Sequence, residues 1–311
     1  DLSSLITLID DFISKPEPPR KKQKYIPKKL YKLTKIVDSL TELNNMIGLT
    51  NLKQQLLDQL IYFVQDYKEN IMLHTVIEGA PGTGKTSVAN IMAQIYSGVG
   101  ILKKNKCRVV KREDLIGQYL GETTMKTTEM LDECLNGVIL IDEAYSLGSG
   151  ATDSNGDSYS KECIDTINQY LTENADKLIC IIAGYKKELD SCFFSMNPGL
   201  RRRFPWTFTI DSFKPIELSK IMFSKINDTK WETDITLDEL TDLIRNKEDC
   251  FTGNGGDIEN ILAKCKILYS RKNFGKEIDY VLSKDIISET IKEFISNKQK
   301  NTNGPPMMMY L

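Results

Sequence analysis

The sequence predicts an α/β fold, a parallel sheet flanked by helices, followed by a small all-helical domain. Three observations predict it: short apolar strands alternating with amphipathic helices from His74 to Ala183, a glycine-rich loop after the first strand, and helical periodicity alone beyond Pro215. With 311 residues there is room for about two domains at roughly 150 residues each. Hydrophobic residues make up 41%, enough to build a core rather than a disordered chain.

Residues 1–14, DLSSLITLIDDFIS, set Leu2, Leu5, Ile6, Ile9, Phe12 and Ile13 at helical spacing. This amphipathic N-terminal helix has one apolar face, suited equally to docking a partner and to packing on its own domain. Residues 15–39 read as a basic, Pro/Lys-rich linker, because prolines break helices and charge keeps the segment solvated.

Residues 40–212 read as the α/β domain. Leu52 to Tyr67 is an amphipathic run, and His74 to Glu78 is a β-branched strand leading into the glycine-rich loop. A helix from Lys85 to Tyr96, a strand at Arg108–Val110 and a helix from Thr123 to Leu135 follow. Val138–Ile141 is a buried strand, Ser160 to Glu173 a helix, and Leu178 to Ala183 a fourth strand. Continuous apolar strands between helices indicate a parallel sheet covered on both faces. Residues 148–159 form a polar loop within this domain. Residues 213–297 read as the helical domain, with helices near 216–226, 237–245, 257–269 and 284–295. Residues 298–311, ending GPPMMMYL, read as a flexible tail.

Net charge is only −2, which gives no global bias toward nucleic acid or membranes. The stretch from Lys15 to Lys35 nevertheless holds nine basic residues against one acid, so an attached basic arm at 15–35 is set against a more acidic body. That arm reads as a solvated tether, as a signal for an import receptor, or as a contact for nucleic acid. Seven cysteines form no C-x-x-C pair, which fits scattered thiols in a reducing compartment. One histidine, His74, excludes a multi-histidine metal site and disfavours a Ser-His or Cys-His dyad. No run reaches the roughly 18 apolar residues of a membrane span, and the opening residues do not read as a signal peptide. The expectation is an intracellular protein, cytoplasmic or nuclear, without a membrane partner.

The loop Gly79-Ala80-Pro81-Gly82-Thr83-Gly84-Lys85-Thr86 matches G-x-x-x-x-G-K-[ST] between a strand and a helix, the context of a phosphate-binding loop. Its glycines let backbone N–H groups face phosphate oxygens at a helix N-terminus, with Ser87 next on the same first turn. Lys85 is placed to reach the β- and γ-phosphates of ATP, and the Thr86 hydroxyl to meet Mg²⁺. About 57 residues beyond Lys85, the strand Gly137-Val138-Ile139-Leu140-Ile141 ends in Asp142-Glu143 and is expected beside the loop's own strand. Asp142 is the candidate Mg²⁺ ligand and Glu143 the candidate base for water, a role generally worth about 10²- to 10⁴-fold. Paired acids favour hydrolysis over mere binding. Three arginines, Arg201 to Arg203, follow the turn Asn197-Pro198-Gly199. Arg201 and Arg203 are the candidates for a finger completing a neighbouring subunit's γ-phosphate site. Gly117-Gln118-Tyr119-Leu120-Gly121 places an aromatic and an aliphatic residue between glycines, a loop able to move and still grip.

Taken in order, Met46-Ile47-Gly48-Leu49, GAPGTGKT, DLIGQYLGETTMKT, GVILIDEAYSL, IIAGYKKELD and NPGLRRRF resemble the AAA+ ATPases of the group containing the red-type Rubisco activase (CbbX) and stage V sporulation protein K. The resemblance runs from about residue 45 to 205, and more loosely to 295. It implies an AAA+ large domain of the P-loop NTPase type with a helical lid, and a homo-oligomeric ring, a hexamer, with nucleotide between subunits. It also implies that Tyr119 and Leu120 line a central pore through which a protein client is remodelled or threaded. It does not make Rubisco the client, because pore machinery is shared while client choice lies in variable surfaces. Two positions depart from the group's pattern: Tyr185 stands where the fourth strand commonly ends in Asn or Thr, and Gly256 stands where the activase-like lid carries an arginine. The alternative function is a nucleotide-switched assembly protein associated with nucleic acid through the arm at 15–35.

Overall fold

The glycine-rich loop grows out of an interior strand of a five-stranded sheet, the one next to its edge. The computed structural model describes residues 1–14, 31–65, 71–119, 121–148, 158–275 and 277–302. Strands β1 (Thr75–Gly79), β2 (Cys107–Val110), β3 (Val138–Ile141), β4 (Ile179–Gly184) and β5 (Trp206–Ile210) lie in the order β2-β3-β4-β1-β5. Every pairing is parallel, so the C-terminal ends of all five strands share one edge. β4 separates β3 from β1, which corrects the expectation that the acidic strand adjoins the strand of the glycine-rich loop.

Parallel neighbours need crossovers, and helices supply them. On one face lie α1 (Leu2–Ser14), α2 (Val37–Asn45), α3 (Thr50–Val64) and α4 (Lys85–Gly98), packed on Ile77, Leu140, Ile181 and Phe208. On the other lie α5 (Glu122–Glu133) and α6 (Ser158–Glu173), packed on Val76, Ile139, Ile141, Cys180 and Ile182. Alternate residues of one strand thus feed opposite cores, as the period of two requires. The strands read as unbroken apolar runs because both faces are covered.

The N-terminal helix packs back on this unit. Leu2 and Ile9 are buried in the core shared with α2 and α3, and the Ser3 hydroxyl donates to Asn44 Oδ1 at 3.2 Å. The linker expected for residues 15–39 ends too late. From residue 31 the described chain is already helical, with Leu33 and Ile36 buried. Ile36 lies so close to Gly98 that a Cβ there would stand 2.2 Å from its Cγ2. Residues 15–30, with most of the basic arm, lie outside the described residues, as do 149–157 of the polar loop and 303–311 of the tail.

The chain divides into two compact units, residues 1–79 with 84–210, and residues 80–83 with 211–311. The second holds α7 (Pro215–Asn227), α8 (Leu237–Arg245), α9 (Gly255–Lys272) and α10 (Lys284–Thr302) around Met222, Leu240, Ile261, Cys265 and Ile291. Pro215 starts α7 at a position where its missing N–H costs nothing. Thr236 and Glu239 close a reciprocal cap on α8, each side chain bonding the other's backbone N–H. The unit is not purely helical: β6 (Glu232–Thr233) and β7 (Val281–Leu282) make a short parallel pair. The last helix reaches Thr302, so the tail expected from residue 298 begins later.

His74 is fully buried just ahead of β1, its Nδ1 accepting the Cys180 backbone N–H at 3.1 Å. Burial lowers its pKa to about 4, only partly opposed by the Leu171 carbonyl. The unfolded chain therefore takes up the proton first. Stability is fully present above pH 6.5 and is lost as pH falls toward 4, by up to about 3 kcal/mol. Since the chain has one histidine, its ring NMR signals read the titration directly; a midpoint near the ordinary value would contradict this environment. The seven cysteines are free thiols, four of them buried. Burial pushes Cys134 and Cys163 up to about 11, far from nucleophilic range. Among the described residues no helix is long and apolar enough to cross a membrane.

Candidate functional site

β1 ends at Gly79, and the chain must turn sharply to start α4 at Lys85. It does so through Gly82 and Gly84, with φ of 68° and 86°, values that a side chain rarely tolerates. The Thr83 hydroxyl donates to the Ala80 carbonyl at 2.8 Å and pins the turn. Gly84 is the N-cap of α4, so the helix's unbonded N–H groups face the loop. Lys85 Nζ donates to the Gly79 carbonyl at 3.0 Å, folded back over the strand end it follows. Thr86 and Ser87 occupy the next two positions of the first turn.

Asp142 and Glu143 leave β3 on the same edge of the sheet. Burial lowers the pKa of Lys85, while Asp142 and then Glu143 oppose that shift, which puts both acids within electrostatic range of the ammonium. Asp142 Oδ1 accepts the Glu143 N–H at 3.1 Å. Glu143 is exposed and takes left-handed backbone, with φ 52°, where the strand bends into a turn of 3₁₀ helix at Ala144–Leu147. Tyr185 follows β4 directly, its ring centroid 5.9 Å from Lys85 Nζ. The edge therefore collects a cation, two acids and a phenol around a loop built for anions.

The central turn of the loop makes its own contacts inside the second unit. The Gly82 carbonyl accepts the Gly255 N–H at 3.0 Å, and Asn254 Nδ2 donates to the Pro81 carbonyl at 3.2 Å. A Cβ on Gly82 would fall 2.1 Å from the Gly253 carbonyl oxygen. Backbone approaches backbone here, which only a glycine-rich TGNGG sequence permits. Gly256 is the next residue along α9.

Other candidates stand apart from this cluster. Arg201 and Arg203 share one 3₁₀ turn, Leu200–Arg203. Arg201 pairs with Asp190 at 3.4 Å and lies 4.4 Å over the Phe194 ring, while Arg203 Nε donates to Thr172 Oγ1 at 2.9 Å. Tyr119 is 68% exposed, and its loop is tied down by Glu122, whose carboxylate accepts the N–H groups of Gln118 and Tyr119 at 3.2 Å. Leu120 lies outside the described residues. A cavity of about 440 Å³ lined by Phe63, Leu73, Thr172 and Ile179 opens at the opposite ends of β1 and β4 and has no part in this edge. Sequence reasoning missed Tyr145, Gly184 and Asn254, whose positions depend on segments that meet only in the folded chain.

A parallel sheet with a phosphate-binding loop on an interior strand, an acidic strand end beyond one intervening strand and a four-helix second unit define a P-loop nucleotide-binding protein of the AAA type. Residues 75–211 match the ATPase family associated with various cellular activities (AAA). The chain is 39% identical over 290 residues to the putative cfxQ-like protein R730 of Acanthamoeba polyphaga mimivirus, covering 91% of this chain and 70% of that protein. It is 35% identical over 160 residues to stage V sporulation protein K of Bacillus subtilis (strain 168), covering 51% of this chain and 48% of that one. In fold it is similar to the FIGL-1 AAA domain in complex with ADP, with a TM-score of 0.56 at 16% identity, covering 83% of this chain and 89% of that one. The chain belongs to the CfxQ-like group of the AAA ATPase family.

Proposed function

We propose that this chain hydrolyses ATP at the subunit interfaces of a ring-shaped homo-oligomer, a hexamer, and uses the turnover to remodel or thread a protein client through a central pore. One observation supports this most: Lys85 closes an anion-binding turn within electrostatic range of the acids Asp142 and Glu143. The loop from Gly79 to Gly84, through every backbone N–H but that missing at Pro81, and the first turn of α4, with Ser87, hold the phosphates, and Lys85 reaches the β- and γ-phosphates. Among the described residues no group of three or more His, Cys, Asp or Glu could hold a metal unaided. Mg²⁺ usually draws one or two protein ligands and fills the rest with phosphate and water, and Thr86 and Asp142 fit that part. Its chemistry when bound is to neutralise charge on the phosphate oxygens. Glu143 orients and deprotonates the attacking water. Arg201 and Arg203 complete a neighbour's site, and Tyr119 and Leu120 grip the client.

Turnover assays and particle images with and without ATP and Mg²⁺ test this reading. Rings should form, and ATP should be consumed faster when an unfolded polypeptide is added. Tyr119→Ala should keep ring formation and ATP binding but lose that stimulation. A protein that ignores adenine nucleotides, or burns ATP at full rate as a monomer, would overturn the proposal. Steeply salt-dependent DNA binding lost on deleting residues 15–35 would favour the nucleic-acid-associated reading instead.

A further inference from the structure

We propose that the outer edge of β2 docks an extended, acidic segment of a partner protein, which joins the sheet as a further strand. None of the residues involved belongs to the nucleotide site.

The backbone supplies the first half of this surface. β2 stands at the end of the strand order, with β3 on one side and no strand on the other. The Lys106 carbonyl accepts the Val138 N–H at 2.9 Å, and the Val110 carbonyl accepts the Asp142 N–H at 3.0 Å. Bonding residues alternate in a parallel ladder, so Lys106, Arg108 and Val110 face β3. Cys107 and Val109 then turn their N–H and C=O groups outward. Val109 is also 38% exposed, an apolar side chain at an open edge.

Charge supplies the second half. Residues 101–112 carry Lys103, Lys104, Lys106, Arg108 and Lys111 ahead of Arg112, and no acid, although the whole chain stands at −2. All five are exposed, and among the described residues none of the five forms an ion pair. Exposed lysines elsewhere, such as Lys272 and Lys284, have found carboxylates. Burial pushes the Cys134 thiol up, while Lys106, Arg108 and Lys104 oppose this against a single acid, Glu133. Three of the cations therefore share the flank where α5 ends.

Lysines on an edge strand ordinarily guard it against pairing. Here the guard discriminates: two copies of this edge repel each other, whereas an acidic strand is attracted. An added strand has the same period of two. Acids at its alternate positions fall opposite Lys106 and Arg108, which are about 6.7 Å apart along the strand. The apolar residues between them fall beside Cys107 and Val109. Single-stranded nucleic acid carries suitable charge but gains most from aromatic faces on which bases stack, and residues 101–112 have none. Through Lys111 and the helical turn Arg112–Leu115, β2 leads on to the loop of Tyr119. A docked segment and the residue proposed to grip a client thus share one stretch of chain.

Fluorescence anisotropy on the full chain tests this without nucleotide, so the outcome does not depend on whether the protein hydrolyses ATP. The probe is a labelled peptide of alternating Glu and Val, about six residues long, the length of a common strand. It should bind, and the double variant Lys106→Glu, Arg108→Glu should weaken binding at least about tenfold at an unchanged melting temperature. A peptide of alternating Lys and Val should bind that variant instead. Methylating alternate backbone nitrogens of the Glu-Val peptide keeps its charge but removes its donors, and should also weaken binding at least about tenfold. This last comparison uses wild-type protein, so it decides the matter even where the double variant unfolds. No binding of the Glu-Val peptide, or equal binding of its methylated form, overturns strand addition. Tighter binding of an oligothymidylate of equal charge overturns the choice of an acidic polypeptide.

Discussion

Glutamine at position 143 is expected to leave ATP binding intact and to slow hydrolysis at least about a hundredfold. The substitution is nearly isosteric and leaves the backbone bond from the Ser146 N–H to the carbonyl of residue 143 in place, so the turn at Ala144–Leu147 has no reason to change. Lys85, Thr86 and Asp142 are untouched, and the phosphate cradle with them. What disappears is the ability to take a proton from water. Equilibrium binding of a fluorescent ATP analogue beside single-turnover hydrolysis separates the two properties. Unchanged turnover would remove Glu143 from the role of base. Weakened binding of similar size would mean that its main contribution is electrostatic.

Alanine at Arg201 or Arg203 should lower hydrolysis in the assembled protein by about 10³-fold while sparing ATP binding. Neither guanidinium has a strong hydrogen-bond partner in its own chain, and the buried Nη1 of Arg201 has none at all. The side chains of Arg201 and Asp190 are 41% and 49% exposed, and exposed pairs are worth about 0–1 kcal/mol. The single hydrogen bond from Arg203 to Thr172 is also at an exposed position. A triphosphate on an adjoining subunit is a stronger partner than either. Subunits bearing Lys85→Ala cannot use ATP themselves but keep their arginines, so mixing them with the arginine variants should restore part of the activity. Mixtures no more active than the separate proteins would argue that the arginines act within their own chain. Testing both positions shows which one carries the effect.

The parts of the site that could be read directly from the sequence are those held together by covalent order. Gly79 to Ser87 is one continuous turn, and Asp142 and Glu143 end one continuous apolar strand, so residue spacing alone places them. The order of strands is a different matter, because nothing local in Val138–Ile141 says that β4 will lie between it and β1. β5 escaped notice because WTFTI is five residues long, alternates with threonines and follows directly on the arginine turn and Pro205. The paired strands β6 and β7 have two residues each, too few for any period. Lysines from Lys28 to Lys35 hid the apolar spacing of Leu33 and Ile36, whose burial is decided by α4 rather than by their neighbours in sequence. Tyr145 and Gly184 illustrate the same limit at the site: a ring and a missing Cβ have meaning only once two strand exits meet.

The position of β1 has a consequence for how the chain is made. Thr75 pairs with Ile181 on one side and with Trp206 on the other, so a ribosome must add roughly 100 and then 130 further residues before the two borders of β1 can close. At about 5–20 residues per second that interval is on the order of ten seconds. Throughout it the nascent polypeptide carries an apolar strand with unsatisfied N–H and C=O groups along both sides, the condition that invites pairing with other chains. Completion of the nucleotide pocket is therefore a late event in biogenesis, timed by the emergence of residues 206–210.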